Sequence, residues 1–173
     1  MNRRGWPWAL LASTLALVLA LASCGGTGQP AEEEGPLLWY CSGGQGGHGP
    51  ALASQPYEGE EPLQPEALLT ALLAGPTQEG LADPFPRGVA LRRCQWDEEQ
   101  PGVLLVELSE QYGALGDISL TLADYCIVLT LSQVEGVEAV EISAEGHWAN
   151  YRSHQQLAAQ EAVLWDELAE EAP

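Results

Sequence analysis

An α+β fold is predicted: a two-layer sandwich with helices on one face of a mainly antiparallel sheet. Three observations carry that expectation. Two stretches with helical periodicity are interleaved with short apolar runs in the order β-α-β-β-α-β. Gly and Pro bound almost every run. The longest apolar stretch, 121–146, reads as a largely buried helix feeding directly into a strand, which makes it the packing unit around which the rest is arranged.

The first strand is Leu37–Cys41, LLWYC, set between Gly35-Pro36 and Ser42-Gly43-Gly44. Residues 42–62 follow as a long Gly/Pro/Glu-rich loop, mobile or offered to a partner. Pro65 suits the first position of a helix whose stripe is Leu68, Leu69, Leu72 and Leu73, stopped by Gly75-Pro76. After an extended connector, 77–86, the run 88–96 alternates imperfectly, with Val89 and Leu91 on one face and Arg92 and Cys94 on the other. A polar turn ending in Pro101-Gly102 makes it a hairpin with Val103–Leu108, the most apolar strand and so the central one. Residues 109–119 lead on, with Tyr112 as a packing anchor.

In the organising helix, Thr121 and Asp124 have capping-box spacing. Leu122, Tyr125, Cys126 and Leu129 form the stripe, widened by Ala123, Ile127, Leu131 and Val134. Gly136 stands where a left-handed C-terminal cap belongs, and residues 137–143 are β-branched and short, a strand. Beyond Gly146, residues 147–152 suit an edge strand and 153–169 a short helix carrying Leu157, Leu164 and Leu168.

Composition excludes whole classes. The 173 residues suffice for one domain. Formal net charge is −19, lysine is absent, and the 25 acids all follow Cys24. Nucleic acid is excluded as a partner, because neutralising phosphates requires cations. Ca²⁺ would suit the acidity, but no EF-hand-type loop is present. No metal site or cofactor is expected.

The amino terminus reads as an address. Met1–Arg4 carries positive charge, and the apolar run ends in Leu21-Ala22-Ser23-Cys24, followed by two glycines. This resembles a bacterial lipobox, in which the cysteine is diacylated and becomes the mature N-terminus. The competing reading is an uncleaved membrane anchor. The organisation expected is a signal peptide over 1–23, lipidation at Cys24, a flexible acidic tether over 24–35, a domain over 36–146 and an extension over 147–173. Two or three acyl chains would hold the protein durably at the outer face of the cell membrane. Setting Cys24 aside leaves Cys41, Cys94 and Cys126, an odd number that excludes a full disulfide framework. Either Cys41 and Cys94 are bridged or all three are reduced thiols. Cys126, mid-helix among apolar neighbours, reads as a structural thiol.

The segments LLWYC, LLTALLAGP, PFPRGVALRRC and VLLVELSEQY, and residues 122–146, together resemble the GerM-type sporulation and spore germination domain. The specific parts are Leu-x-x-Gly-Pro at 72–76, Pro-x-Gly at 86–88 and Val-x-Leu-Ser at 106–109, with Ile-Val-x-Thr-Leu-x-Gln-Val at 127–134. Departures are Glu145-Gly146, where the family often has Asp-Gly, and the long Gly-rich loop after the first strand. The resemblance implies a non-catalytic assembly module, similar to the ring-building folds of secretion-type complexes, with protein partners or self-association and no catalytic residue to carry over. An extracytoplasmic module binding a cell-wall glycan or small ligand through Trp39, Trp96 and Trp148 is the alternative. A hydrolase built on Ser109, His147 and His154 lacks a G-x-S-x-G elbow, and the acidic pairs Glu60-Glu61 and Glu98-Glu99 read as solvated turns.

Overall fold

A computed structural model describes residues 35–43, 51–145 and 156–162. The signal segment 1–23, nearly all of the tether, His48, the edge strand at 147–152 and most of 153–169 lie outside the described residues.

The two helices and four strands predicted before residue 147 form, and among the described residues three further strands join them. β1 is Leu37–Ser42, β2 Leu52–Pro56, and α1 Pro65–Leu73. β3 (Leu81–Ala82), β4 (Leu91–Trp96) and β5 (Val103–Leu108) follow. After a 3₁₀ turn at Glu110–Ala114 come α2 (Asp117–Leu131), β6 (Ala139–Ala144) and β7 (Gln156–Leu157). The strands form two sheets, in the orders β2-β1-β3 and β4-β5-β6-β7. All pairings are antiparallel except β5 with β6, which are parallel and joined through α2. A parallel pair needs such a crossover, because no short turn can return the chain to the same end.

The four-stranded sheet is one-sided. Leu104, Val106 and Leu108 of β5 stand beside Val140, Ile142 and Ala144 of β6 in register and on one face. All but Ala144 are buried. The other face carries Arg93, Glu107 and Glu141. Alternation of this kind is what a half-covered sheet requires. The covered side meets the core that α1 and α2 supply. Leu68, Leu69 and Leu72 of α1 are buried there with Ala123, Cys126, Ile127, Val128 and Leu131 of α2.

Several expectations are corrected. The stretch 42–62 is not wholly a loop: β2 lies within it, paired along its length with β1 from Leu37↔Pro56 to Cys41↔Leu52. Its sequence, LASQP, has little β propensity, and pairing with β1 decides the conformation. On β4 a bulge between Leu91 and Arg93 restores the apolar alternation, so Leu91 pairs with Leu108 and Cys94 with Val106. Leu91 and Cys94 therefore share the covered face, contrary to the expectation that they oppose each other. An extra residue in one strand produces this reversal of facing.

Helix α2 begins at Asp117, four residues before the expected cap at Thr121, and Gly116 is the N-cap. Thr121 is already helical, its hydroxyl donating to the Asp117 carbonyl (3.2 Å). Asp124 is buried and accepts from the Tyr112 hydroxyl (2.6 Å). The helix ends at Leu131 with Ser132 as C-cap. Gly136, at φ +87°, serves instead as the third residue of a turn closed by the Val137 amide donating to the Val134 carbonyl (3.1 Å). The expected C-terminal helix is absent from the described part of that segment, where Gln156–Leu157 pair with β6 and Ala159–Glu161 form a 3₁₀ turn.

Candidate functional site

Residues weighed for hydrolysis are placed where they hold the fold. Ser109 is buried, and its Oγ accepts from the Ala90 amide (3.0 Å) while its own amide donates to the Ala90 carbonyl (2.8 Å). It closes the open end of the β4–β5 hairpin. His147 and His154 lie outside the described residues. Glu60-Glu61 and Glu98-Glu99 are exposed. The Asp97 carboxylate beside the second pair accepts from the Glu99 amide (2.7 Å), an ordinary polar turn. Among the described residues no three His, Cys, Asp or Glu side chains gather closely enough to hold a metal ion.

Trp39 and Trp96 do not share a strand or a sheet. Trp39 is half-buried on β1 and packs on the core, while Trp96 is 44% exposed at the end of β4. Trp148 lies outside the described residues, as does Cys24.

The most organised polar feature is the seam between β1 and α2. The Leu37 amide donates to Gln133 Oε1 (2.7 Å), and Gln133 Nε2 donates back to the Leu37 carbonyl (2.8 Å). The Trp39 amide donates to Thr130 Oγ1 (3.1 Å). Thr130 in the last turn of α2 and Gln133 just past its C-cap thus satisfy the strand edge that β3 leaves open, since β3 reaches only Cys41 and Ser42. On the other side, the Tyr40 hydroxyl donates to the Leu72 carbonyl at the end of α1 (3.1 Å). Burial, with the Asp83 carboxylate adding, pushes the Tyr40 pKa up to about 12. Gln55 of β2 accepts from the Thr77 and Gln78 amides (2.9 and 3.2 Å) and ties down the connector.

Cys41, Cys94 and Cys126 are free thiols. The weighed Cys41–Cys94 bridge is not formed: Cys41 belongs to the three-stranded sheet and Cys94 to the other. The neighbour of Cys41 is Cys126 of α2, near enough for the two thiols to perturb each other. Burial, with the Glu66 carboxylate adding, pushes the Cys94 thiol up to about 12. Gln133 and Thr130 went unmarked as positioning residues at sequence level. Their signal was present, as two polar residues inside an apolar helix, but the stripe argument passes over them.

Among the described residues the sheets end in β2 and the two-residue β3, and in β4 and the two-residue β7, so β2 and β4 are the longer edges. The β4 edge carries the bulge and two arginines. Arg93 pairs with Glu107 (2.6 Å) and Arg92 with Glu145 (2.9 Å). Bulges and charges of this kind discourage a strand edge from adding a further strand. The β2 edge has no charged residue.

A solved structure of a candidate lipoprotein from Clostridium perfringens is similar at 17% identity and a TM-score of 0.46, covering 72% of this chain and 89% of that one. No curated protein matches the sequence. The model of the family described as "Germane: Sporulation and spore germination" matches residues 45–150. That span contains every element from β2 to β6 and more than half of the chain, and the chain belongs to the Germane family of sporulation and spore germination domains.

Proposed function

We propose that this Germane-family protein is a non-catalytic lipoprotein, tethered through acylated Cys24 to the outer face of the cell membrane, and that it serves as a protein-interaction or assembly module in sporulation or spore germination. One observation carries the non-catalytic reading: Ser109, Thr130, Gln133 and Gln55 are each engaged with backbone groups of neighbouring elements. Polar side chains committed in this way position strands and have no free geometry for substrate. The uncharged β2 edge supports an interaction role, because unpaired strand groups are what β-augmentation uses.

The test is genetic and biochemical together. Deletion of the gene lowers the yield of heat-resistant spores or slows germination, and the wild-type gene restores it. Cys24→Ala moves the protein out of the membrane fraction and abolishes palmitate labelling. Unchanged membrane retention with normal processing would remove the lipid tether from this reading. The exposed Trp96 supports glycan binding as the second reading. Retention on cell-wall glycan that is lost in Trp96→Ala would replace the assembly role.

A further inference from the structure

The register of β1 against α2 brings together two sulfurs that the family description leaves without a role. Gln133 meets Leu37, and Thr130 meets Trp39. Two residues along a strand advance about 6.6 Å. Three or four along a helix advance about 4.5–6 Å. One step further the rungs reach Cys41 and Cys126, which the register sets side by side across the seam, close enough for each thiol to shift the other's pKa. Cys126 is wholly buried in the core, while Cys41 is half-buried, so one sulfur of the pair is within reach of a reagent and the other is not.

We propose that Cys41 and Cys126 form a dithiol site that closes to a disulfide, fastening the first strand to the central helix, with a protein or small-molecule disulfide as oxidant. The Cys41 thiolate attacks one sulfur of the oxidant, whose S–S bond breaks and releases one thiolate. That leaving thiolate takes the Cys126 proton. The Cys126 sulfur then attacks the Cys41 sulfur of the mixed disulfide and expels the second thiolate, which takes a proton from water, replacing the one Cys41 released. Two protein thiols are oxidised and one external disulfide is reduced to two thiols. The contact also favours this order of events. The neighbouring Cys126 thiol lowers the Cys41 pKa, against burial and the Asp83 carboxylate, while the neighbouring Cys41 and burial raise that of Cys126 and keep it protonated until the second step.

The experiment uses the reduced full chain in detergent, incubated with oxidised glutathione without denaturant and then alkylated. Digestion after glutamate separates Cys94 from Cys126 at Glu98, Glu99, Glu107 and Glu110. The expected product is a peptide pair joined through Cys41 and Cys126. It disappears in Cys41→Ser and persists in Cys94→Ser. The oxidised protein melts at least about 5 °C above the reduced one, because the link closes a long loop in the unfolded chain. Should Cys126→Ser fail to fold, the wild-type peptide map and Cys41→Ser decide the matter. Glutathione retained on Cys41, a link through Cys24 or Cys94, or no reaction in the folded protein would each overturn the proposal. The result does not depend on the membrane tether.

Discussion

The two sheets are built by different rules. In β4-β5-β6-β7 each core strand brings its own apolar face, and backbone pairing with its neighbours does the rest. In β2-β1-β3 the strands are held by partners outside the sheet: Thr130 on α2 and Gln133 just past its C-cap support β1, and Gln55 ties β2 to the connector after α1. The first sheet would survive many changes in distant side chains. The second sheet described, that containing β1, would not, because part of its edge is completed by side chains from elsewhere in sequence.

The largest expected effect tests the apolar sheet. Leu104→Ala, near the start of β5, costs about 3 kcal/mol in urea denaturation, because a fully buried leucine leaves both lost transfer energy and a cavity. Protection from hydrogen exchange should fall throughout the domain. Gln133→Ala costs about 2 kcal/mol, since it strips partners from both the amide and the carbonyl of Leu37. Here the loss of protection should concentrate at Leu37 while β5 amides keep theirs. Equal losses in both sheets would erase the distinction between them.

Alkaline titration sharpens the same contrast. Tyr40 on β1 has its pKa raised from 10.0 to about 12, and buried Tyr112 is raised well above its ordinary value by burial and the Asp124 carboxylate. A raised folded pKa means that the neutral form is favoured in the fold. The resulting stability is fully present below pH 10 and is lost as pH rises toward 12. Melting temperature should therefore fall across that window, less steeply in Tyr40→Phe, which also gives up the hydrogen bond to Leu72 at neutral pH. A pH-independent melt above 10 would contradict the assignment. The smallest effect belongs to Arg93→Ala, which removes an exposed cross-strand pair with Glu107 and should cost under about 1 kcal/mol.

How far the sequence could be read follows the same division. Val103–Leu108 was legible as a central strand because a one-sided apolar pattern and a flanking Pro-Gly turn both lie within a few residues. Gly102, the third residue of that turn, has φ +86°, the conformation a Pro-Gly turn demands, and Val103 closes it by donating to the Gln100 carbonyl. β2 was illegible because its residues, Leu52–Pro56, are weak strand formers that take their shape from β1. The start of α2 was misplaced because Thr121 and Asp124 have the spacing of a cap inside a helix that begins at Asp117. The bulge on β4 could not be read from alternation, since one inserted residue mimics an irregular pattern.

Sequence alone determined the helix stripes, the hairpin, the acidic surface and the family, because each rests on residues near one another in the chain or on composition. Tertiary structure alone decided that Gln133 and Thr130 complete the edge of β1, and that Cys41 meets Cys126 and not Cys94. Those contacts join residues 91 and 96 positions apart in the two hydrogen-bonded cases. No local pattern records such a distance. It is set only when the apolar faces of α1, α2 and both sheets close on one core.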